Sequence, residues 1–508
     1  MQTMLSSASV SPVIEGLLRD AQTGDTLRTV LDWLAVPPDS NVAVHARALS
    51  AHMDLLEQVA LAPAVRVRIL DIFHDRALSC SAMLRPQLAA SALPVEAGLR
   101  AAADLLCSSC MRLARSYLEA LRMQAAHRPA RVAGHAMMCV LDAYALNVLI
   151  GATDPAGMWG TANALLMHAR ALETPPAGAS VPVNAEHLFR QLVALSLAQT
   201  PNLAPADFFS VAEYVRSYSG AVQIQAQTPH RDLDSWYWLD DECDRSPTAL
   251  LRAPADNGRT GHIIFCSCQR LGQVLGQHLD LIDEGGGSPS LHLPACLNDP
   301  ATRRLMRALQ ARWMAMPRRQ HARRERTQQV RMLIGFDSIW NLLDKPDATD
   351  DWQSITTGWE IINDSANGFA LRLTDGRTGL VRPGAPVMIR GVDSRKWQIC
   401  VVRWARSTEP GRMDVGVELL SHGAQSATVL FHEDASGRTP VTALRLPPLA
   451  RQRSHPCLML PRGAAKGRNL VIAHATGTRC RLGDARLSDL DLQTQAFELF
   501  ELDEISTI

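Results

Sequence analysis

The sequence predicts a multidomain α+β protein with a mostly α-helical amino-terminal region, a small antiparallel β-barrel and a β-rich carboxy-terminal extension. The chain has 508 residues, which is too many for one ordinary hydrophobic core. Its first part places Leu, Ala and Phe three and four residues apart, as amphipathic helices do. Its later part alternates apolar with polar residues between Gly and Pro breaks, as short strands with one buried face do.

The composition favours a globular protein in a reducing compartment. Hydrophobic residues make up 47% of the chain, and the formal net charge is zero, so no overall field attracts a polyanion or a membrane surface. The 11 cysteines are scattered without a disulfide framework. We see no signal peptide, and the most apolar stretch, 137–152, carries Asp142 and is too short to cross a bilayer. We therefore expect a cytoplasmic protein with no membrane span.

Residues 1–225 are predicted to form a helical bundle or an array of helical hairpins. The segments 95–122 and 185–199 show the clearest three- and four-residue spacing, and both are rich in strong helix formers. Pro and Gly separate the predicted helices.

Residues 226–297 combine strand patterns with a helix pattern. Strands are predicted at 234–239 and 262–266, and a helix at 269–282. This segment is either a small α/β module or a subdomain of the helical region. A connecting helix is predicted over 298–317, where Pro317 disfavours helix in the residue before it.

Residues 318–423 are predicted to form the barrel, and residues 424–508 to be β-rich. Phe369, Leu371 and Leu373 alternate with polar or small neighbours, and the segment 413–419 does the same. The tail has candidate strands at 441–446, 457–460, 469–474 and 496–502. It forms either a second barrel or a decoration of the first.

Two motifs carry the chemistry of the barrel. The arginine-rich segment 318–324 contains R-x-x-x-R at Arg319 and Arg323, and 40 residues after Arg323 comes N-x-S-x-x-G at 363–368. A guanidinium binds phosphate or a guanine edge through two parallel hydrogen bonds and stacks on flat rings. Asn363 and Ser365 are two apart, so on a strand both project to the same side. Gly368 suits a positive φ or the close approach of a ligand.

Read together, these motifs resemble the signature of PilZ domains, small β-barrels that bind the bacterial messenger cyclic di-GMP. The segments 381–389, 401–404 and 415–419 are similar to later strands of that family, so the resemblance covers 318–421. It implies a ligand site for which the candidate residues are Arg318, Arg319, Arg323, Arg324, Asn363, Asp364, Ser365 and Gly368.

The resemblance also implies a function. The protein would be a non-enzymatic receptor that binds cyclic di-GMP and needs no cofactor. Ligand binding would reorient the helical region, which would contact a protein partner and regulate motility, attachment or exopolysaccharide. The chain departs from the family in its 40-residue gap between the motifs, which includes an acidic insertion at 344–351.

Other interpretations stay open. The alternative function is a ligand-blind PilZ-like adaptor with a helical scaffold. The arginines could be a solvated linker, because a second R-x-x-x-R at Arg303 and Arg307 lies inside a predicted helix. The Asn-Gly pair at 367–368 is also a strong hairpin signal. Ten arginines and one acidic residue lie between 301 and 331, but nucleic acid is disfavoured because no aromatic platform accompanies them.

No motif favours an enzyme. Cys107 and Cys110 form a C-x-x-C on a predicted apolar helix, which is typical of core cysteines rather than of a redox or metal site. His74-Asp75 lacks the further ligands that a metal phosphodiesterase needs, so we interpret it as a surface or helix pair. Phosphate-loop, nucleophile-elbow and zinc-protease motifs are missing from the sequence.

Overall fold

The computed structural model describes most of the chain. The residues described are 24–38, 40–124, 126–172, 184–240, 244–252, 263–285, 293–316, 322–345, 354–392, 394, 396–432, 439–449, 453–476 and 479–507. They form 11 α-helices and 16 β-strands. The α+β class, the helical amino-terminal region, the barrel and the β-rich tail are confirmed.

Eight helices build the amino-terminal region over the residues that the structure describes. They are α1 (Asp25–Ala35), α2 (Val42–Glu57), α3 (Pro63–Ala90), α4 (Ala97–Arg122), α5 (Pro129–Leu149), α6 (Met158–Ala171), α7 (Ala185–Leu197) and α8 (Pro205–Tyr218). Polar side chains cap several helix starts: Asn41 accepts hydrogen bonds from the first turn of α2, and Glu96 from that of α4. Pro63, Pro129 and Pro205 occupy first helical turns, where the missing N–H costs nothing.

The interior of this region is apolar, with polar groups packed into it. Of the described helices, α5 is the one long and apolar enough to cross a membrane, but 78% of its most apolar window is buried inside the protein, as in a core helix. Cys107 and Cys110 are buried free thiols, which confirms the core interpretation. His74 is only 3% exposed and stacks on His135 at 4.5 Å, so the surface alternative for His74-Asp75 was wrong for the histidine.

The mixed segment forms a four-stranded sheet with two helices beside it. The strands are β1 (Gln223–Gln225), β2 (Trp236–Asp240), β3 (Thr248–Ala249) and β4 (Ile263–Ser267), in the antiparallel order β1-β4-β2-β3. The connecting helix α10 (Pro300–Met314) packs on α9 (Gln269–Asp283), where Gly272 and Gly276 leave room for it. Trp313 of α10 donates to the Ala194 carbonyl of α7 at 3.2 Å. This helix is therefore fixed to the helical region.

The first barrel closes from six antiparallel strands. They are β5 (Arg324–Ile334), β6 (Thr357–Ser365), β7 (Gly368–Leu373), β8 (Pro386–Gly391), β9 (Gln398–Glu409) and β10 (Arg412–Ser421), in the cyclic order β10-β7-β6-β5-β8-β9. The sequence did not predict helix α11 (Phe336–Asp344) between β5 and β6. This helix supplies nine residues of the long gap between the motifs, and most of the acidic insertion lies outside the described residues.

The tail is a second closed barrel, not a decoration. Its strands are β11 (Gln425–Phe431), β12 (Val441–Leu446), β13 (Cys457–Pro461), β14 (Asn469–Thr476), β15 (Arg479–Gln493) and β16 (Phe497–Thr507). Numbered from its own first strand, each barrel closes in the same cyclic order, 1-2-3-6-5-4. Phe336, Ile339 and Leu342 of α11 join a buried cluster with Leu444 and Phe497 of the second barrel, so α11 packs between the two barrels.

The helical region and the first barrel share backbone hydrogen bonds. Leu93 and Val381 form a β-bridge, with Leu93 N donating to Val381 O at 2.8 Å. Ser407 N donates to Gly151 O at 2.7 Å. The buried Arg100 guanidinium donates to Ser407 O at 2.7 Å. Since Ser407 lies on β9, the far end of that strand is joined directly to the helical region.

Candidate ligand-binding pocket

A pocket of about 260 Å³ lies on the outside of the first barrel, at the end where β6 and β7 meet. It collects residues from five parts of the barrel. The lining residues are Arg323, Asn363, Ser365, Asn367, Gly368, Phe369, Ala370, Arg403, Trp404, Gly416, Val417 and Glu418. Three of the four motif residues Arg323, Asn363, Ser365 and Gly368 come from one hairpin, and Arg323 joins them from just before β5.

The hairpin explains why the second motif makes one wall. Ser365 pairs with Gly368 across the two-residue turn, and the Ser365 hydroxyl donates to the Gly368 carbonyl at 3.3 Å. Asn363 and Ser365 alternate with Asp364, so both face the pocket. The Asn367 carbonyl accepts from Leu419 N at 2.9 Å and so ties the turn to β10. The hairpin interpretation and the site interpretation therefore describe the same structure.

Gly368 is required by a neighbouring strand. A Cβ at this position would lie 2.0 Å from the Val417 carbonyl oxygen and 3.0 Å from the Glu418 Cα. Gly368 pairs with Glu418 in the β7–β10 ladder, so a side chain would push the two backbones apart. The glycine thus shapes the pocket floor through strand packing, whereas the sequence suggested a positive φ or the close approach of a ligand.

Trp404 adds an aromatic surface that the motifs did not predict. It pairs with Gly416, and a Cβ at residue 416 would lie 1.9 Å from Trp404 Nε1. The indole therefore lies across the glycine, and only a residue without a side chain permits this. Arg406 lies over the indole at 5.6 Å from the ring centroid. The sequence alone gives no cue to this contact, because the pairing of Trp404 with Gly416 becomes visible only when the strand register is known.

Arg403 and Glu418 form the shared wall between this pocket and a larger cleft. The Arg403 Nε and the Glu418 carboxylate are 2.6 Å apart, and both side chains are partly exposed. Both residues line the 260 Å³ pocket and also a cleft of about 640 Å³ on the other side. The pocket thus holds one carboxylate, which already has an arginine partner.

The structure brings together only part of the predicted site. Arg323, Asn363, Ser365 and Gly368 line the pocket, whereas Arg318 and Arg319 lie outside the described residues. Asp364 and Arg324 pair with each other across β5 and β6 and do not line the pocket. Asp364 instead forms an ion pair with Arg326 at 3.2 Å. The odd–even alternation along β6 separates Asp364 from its two neighbours.

The described residues include no group of three or more His, Cys, Asp or Glu side chains placed to hold a metal ion. The chemistry of the pocket is that of a binding site: guanidinium donors, amide and hydroxyl groups, and an indole face. These groups suit a planar, anionic ligand with hydrogen-bonding edges.

The fold and these residues define the first barrel as a PilZ domain. Residues 342–426 match the family model described as the middle PilZ domain of the cyclic-di-GMP receptor FimW. Residues 28–230 match the model described as the amino-terminal domain of the same receptor. The first barrel therefore belongs to the PilZ family, and the helical region is similar to the amino-terminal domain of FimW. Arg323 and β5 precede the matched PilZ segment.

A curated relative is similar over a shorter stretch. The cyclic-di-GMP receptor FimW of Pseudomonas aeruginosa is 27% identical over 117 residues, which is 23% of this chain and 19% of the relative. The matched segment thus spans about a fifth of the relative's length. No solved structure matches the chain.

Proposed function

We propose that this chain is a non-enzymatic receptor that binds cyclic di-GMP in the pocket of its first barrel. One observation carries the proposal: Arg323 and the residues of the second motif, 40 positions away in sequence, line a single pocket. The similarity to the FimW receptor supports the identity of the ligand.

The chemistry of the pocket fits this dinucleotide. Cyclic di-GMP has two phosphates and two guanines, and therefore presents anionic oxygens, flat rings and O6/N7 acceptor edges. Arg323 is exposed at the pocket and matches a phosphate or a guanine edge. Trp404 provides an indole surface on which a base can stack when the Arg406 guanidinium moves off the ring, a contact that is worth about 1–3 kcal/mol per base. Asn363 and Ser365 supply the short polar contacts between them.

Calorimetric titration of the full chain with cyclic di-GMP tests the site. We expect saturable binding that Arg323→Ala or Ser365→Ala weakens by about 1–3 kcal/mol, the scale of a lost charged or buried hydrogen bond. Arg326→Ala is the matched control, because Arg326 lies three residues after Arg323 but pairs with Asp364 away from the pocket. Its affinity should stay within about twofold of the wild type.

Two results would count against this proposal. Equal affinity in the wild type and both pocket variants would move the site elsewhere. No detectable binding by the wild type, together with a stable protein partner, would favour the ligand-blind adaptor.

We further propose that ligand binding repositions the helical domain relative to a protein partner. Strand β9 supports this route, because Trp404 lies at the pocket and Ser407, three residues later, accepts from Arg100 of the helical region. Cyclic di-GMP should therefore alter amide hydrogen exchange in peptides around Leu93, Arg100 and Gly151. Exchange that changes only within the barrel would contradict the coupling.

We propose that the protein acts in the cytoplasm. The processes that it would control are motility, surface attachment or exopolysaccharide production. The nine cysteines whose side chains the structure describes are free thiols, which fits a reducing compartment. Replacing the chromosomal gene by the Ser365→Ala variant should change surface attachment or swimming in the producing bacterium. Wild-type behaviour in both assays, at equal protein levels, would reject motility and attachment as outputs.

A further inference from the structure

A cleft of about 640 Å³ lies where the helical region and both barrels meet. The helical side contributes Asn202, Asp207 and one face of α10, the first barrel contributes Arg403 and Glu418, and the second barrel contributes the turn after β15. Its lining residues are Asn202, Leu203, Ala204, Asp207, Ala301, Arg304, Leu305, Ala308, Arg312, Pro383, Gly384, Val402, Arg403, Glu418, Asp491, Leu492, Gln493, Thr494 and Gln495. Its volume lies within the range of small-molecule sites.

Helix α10 presents a row of two arginines to this cleft. Arg304, Ala308 and Arg312 are four residues apart and share one face of the helix. Arg304 and Arg312 are eight residues apart, which places their backbones about 12 Å from each other along the helix axis. The small Ala308 leaves the space between them open. The row therefore suits a ligand with two separated anionic or acceptor groups.

The arginines of this row have no carboxylate partner among the residues that the structure describes. Arg304 donates to the Gln493 side-chain carbonyl at 2.8 Å, and Arg312 to the Ala198 carbonyl at 3.2 Å. Burial lowers the pKa of Arg312, and repulsion from Arg403 lowers it further. An anion in the cleft would relieve that repulsion.

The carboxylates of the cleft are already engaged. Glu418 pairs with Arg403, and Asp491 pairs with Arg453. Asp207 accepts from the Gln495 side-chain amide at 2.5 Å. Arg304 and Arg312 thus have no paired carboxylate among the described residues, and burial raises the pKa of Asp207, which disfavours the charged form of that carboxyl. Leu203, Leu305 and Leu492 supply apolar surface against which a base or a ribose can pack.

We propose that this cleft is a second ligand site, separate from the barrel pocket, which binds a phosphate-bearing nucleotide across Arg304 and Arg312. The proposal goes beyond the proposed receptor function and does not depend on it. The Arg403–Glu418 pair, which lines both cavities, is the contact through which one site would sense the other.

The test uses the full chain carrying Arg323→Ala, Asn363→Ala and Ser365→Ala, so that the barrel pocket is silenced. Equilibrium dialysis with cyclic di-GMP, GTP and inorganic pyrophosphate as three separate probes then measures the cleft alone. We expect at least one nucleotide to bind more tightly than pyrophosphate. Arg304→Gln should weaken it by about 10- to 100-fold, as for a lost charge-assisted contact.

A second variant blocks the cleft without removing a positive charge from it. Ala308 is exposed in the cleft, so Ala308→Trp should fill the space between the arginines and abolish nucleotide binding. Arg307→Gln is the matched control, because Arg307 lies on the same helix but pairs with Asp280 and Asp283. It should leave nucleotide binding within about twofold of the parent chain.

The outcomes separate this proposal from the receptor function. If neither nucleotide binds the silenced chain, or if Arg307→Gln weakens binding as much as Arg304→Gln, the cleft site is rejected. Pyrophosphate that binds as tightly as the nucleotides also rejects a nucleotide site. None of these results affects the barrel pocket, which is tested in the chain with Arg323, Asn363 and Ser365 intact.

Discussion

Substituting Gly416 by alanine should weaken cyclic di-GMP binding while leaving the barrel folded. The added Cβ would lie 1.9 Å from Trp404 Nε1, 2.2 Å from its Cε2 and 2.6 Å from its Cδ1. Ordinary carbon contacts are about 3.5–4.0 Å, so the indole must shift by about 1.5 Å or more. Trp404 is only half-buried, and it can therefore move outward into the pocket instead of disrupting the core.

The magnitudes follow from these two effects. Overpacking costs about 1–3 kcal/mol when the neighbours cannot move. Because Trp404 can move, the free energy of unfolding should decrease by an amount near the lower end of that range. Loss of one stacking surface costs about 1–3 kcal/mol, which is a decrease in affinity of about 5- to 150-fold. Calorimetric titration and urea unfolding measure the two quantities separately.

The control is Gly376→Ala. A Cβ at residue 376 would meet only the Gly411 Cα, at 4.0 Å, outside the pocket. We expect affinity and stability close to those of the wild type. If Gly416→Ala binds the dinucleotide as tightly as the wild type does, Trp404 is not a stacking surface and the reasoning is refuted.

Three further substitutions test the packing of the protein, each by denaturant unfolding. Arg100→Met should lower the free energy of unfolding by about 2–4 kcal/mol, because it leaves buried carbonyl groups at the domain interface without donors. The control is Asp104→Asn, which changes only the exposed partner of Arg100 and should cost less than about 1 kcal/mol. Equal losses in the two variants would contradict the role of Arg100 at the interface. Gly368→Ala should cost about 3 kcal/mol or more, since its Cβ would meet the Val417 carbonyl, and a loss below about 1 kcal/mol would disprove the strand contact. Burial, together with repulsion from a neighbouring histidine, lowers the pKa of His74 from 6.5 to about 3. The folded state therefore binds fewer protons than the unfolded state, and the free energy of unfolding should decrease as the pH falls from about 6.5 toward 3. His74→Gln should reduce that slope above pH 4.5, and an unchanged slope would show that other groups cause it.

The sequence was most informative where local pattern and chemistry coincide. The alternation around Phe369, Leu371 and Leu373 predicted β7, and the spacing of Asn363 and Ser365 predicted that they share one face. The same alternation also excludes Asp364 from that face, although the sequence-based list included it. The two-residue period of β6 therefore predicts which strand faces the pocket, and it also predicts that alternate residues of that strand face away from it.

Long-range features were less accessible. The sequence did not predict helix α11, because strand-like patterns flank it on both sides. Phe336, Ile339 and Leu342 nevertheless lie on one helical face. The contribution of Trp404 depends on its register with Gly416 on the next strand. Strands β11 and β15 were also missed, so the closure of the second barrel could not be inferred.

The second barrel repeats the strand order of the first without its binding motif. At the corresponding end of β12, Arg445 donates to the Glu504 carboxylate at 2.7 Å and to the Gln425 side chain at 3.3 Å. Its positive charge is therefore compensated within the barrel. The second barrel packs against α11 and contributes residues to the interdomain cleft.

The most direct test of the account is a crystal structure of the full chain with cyclic di-GMP. The account predicts electron density for the dinucleotide in the pocket of the first barrel, with an anionic oxygen or a guanine edge hydrogen-bonded to Arg323 and polar contacts to Asn363 and Ser365. Dinucleotide density found only away from those three side chains, at saturating ligand, would contradict it.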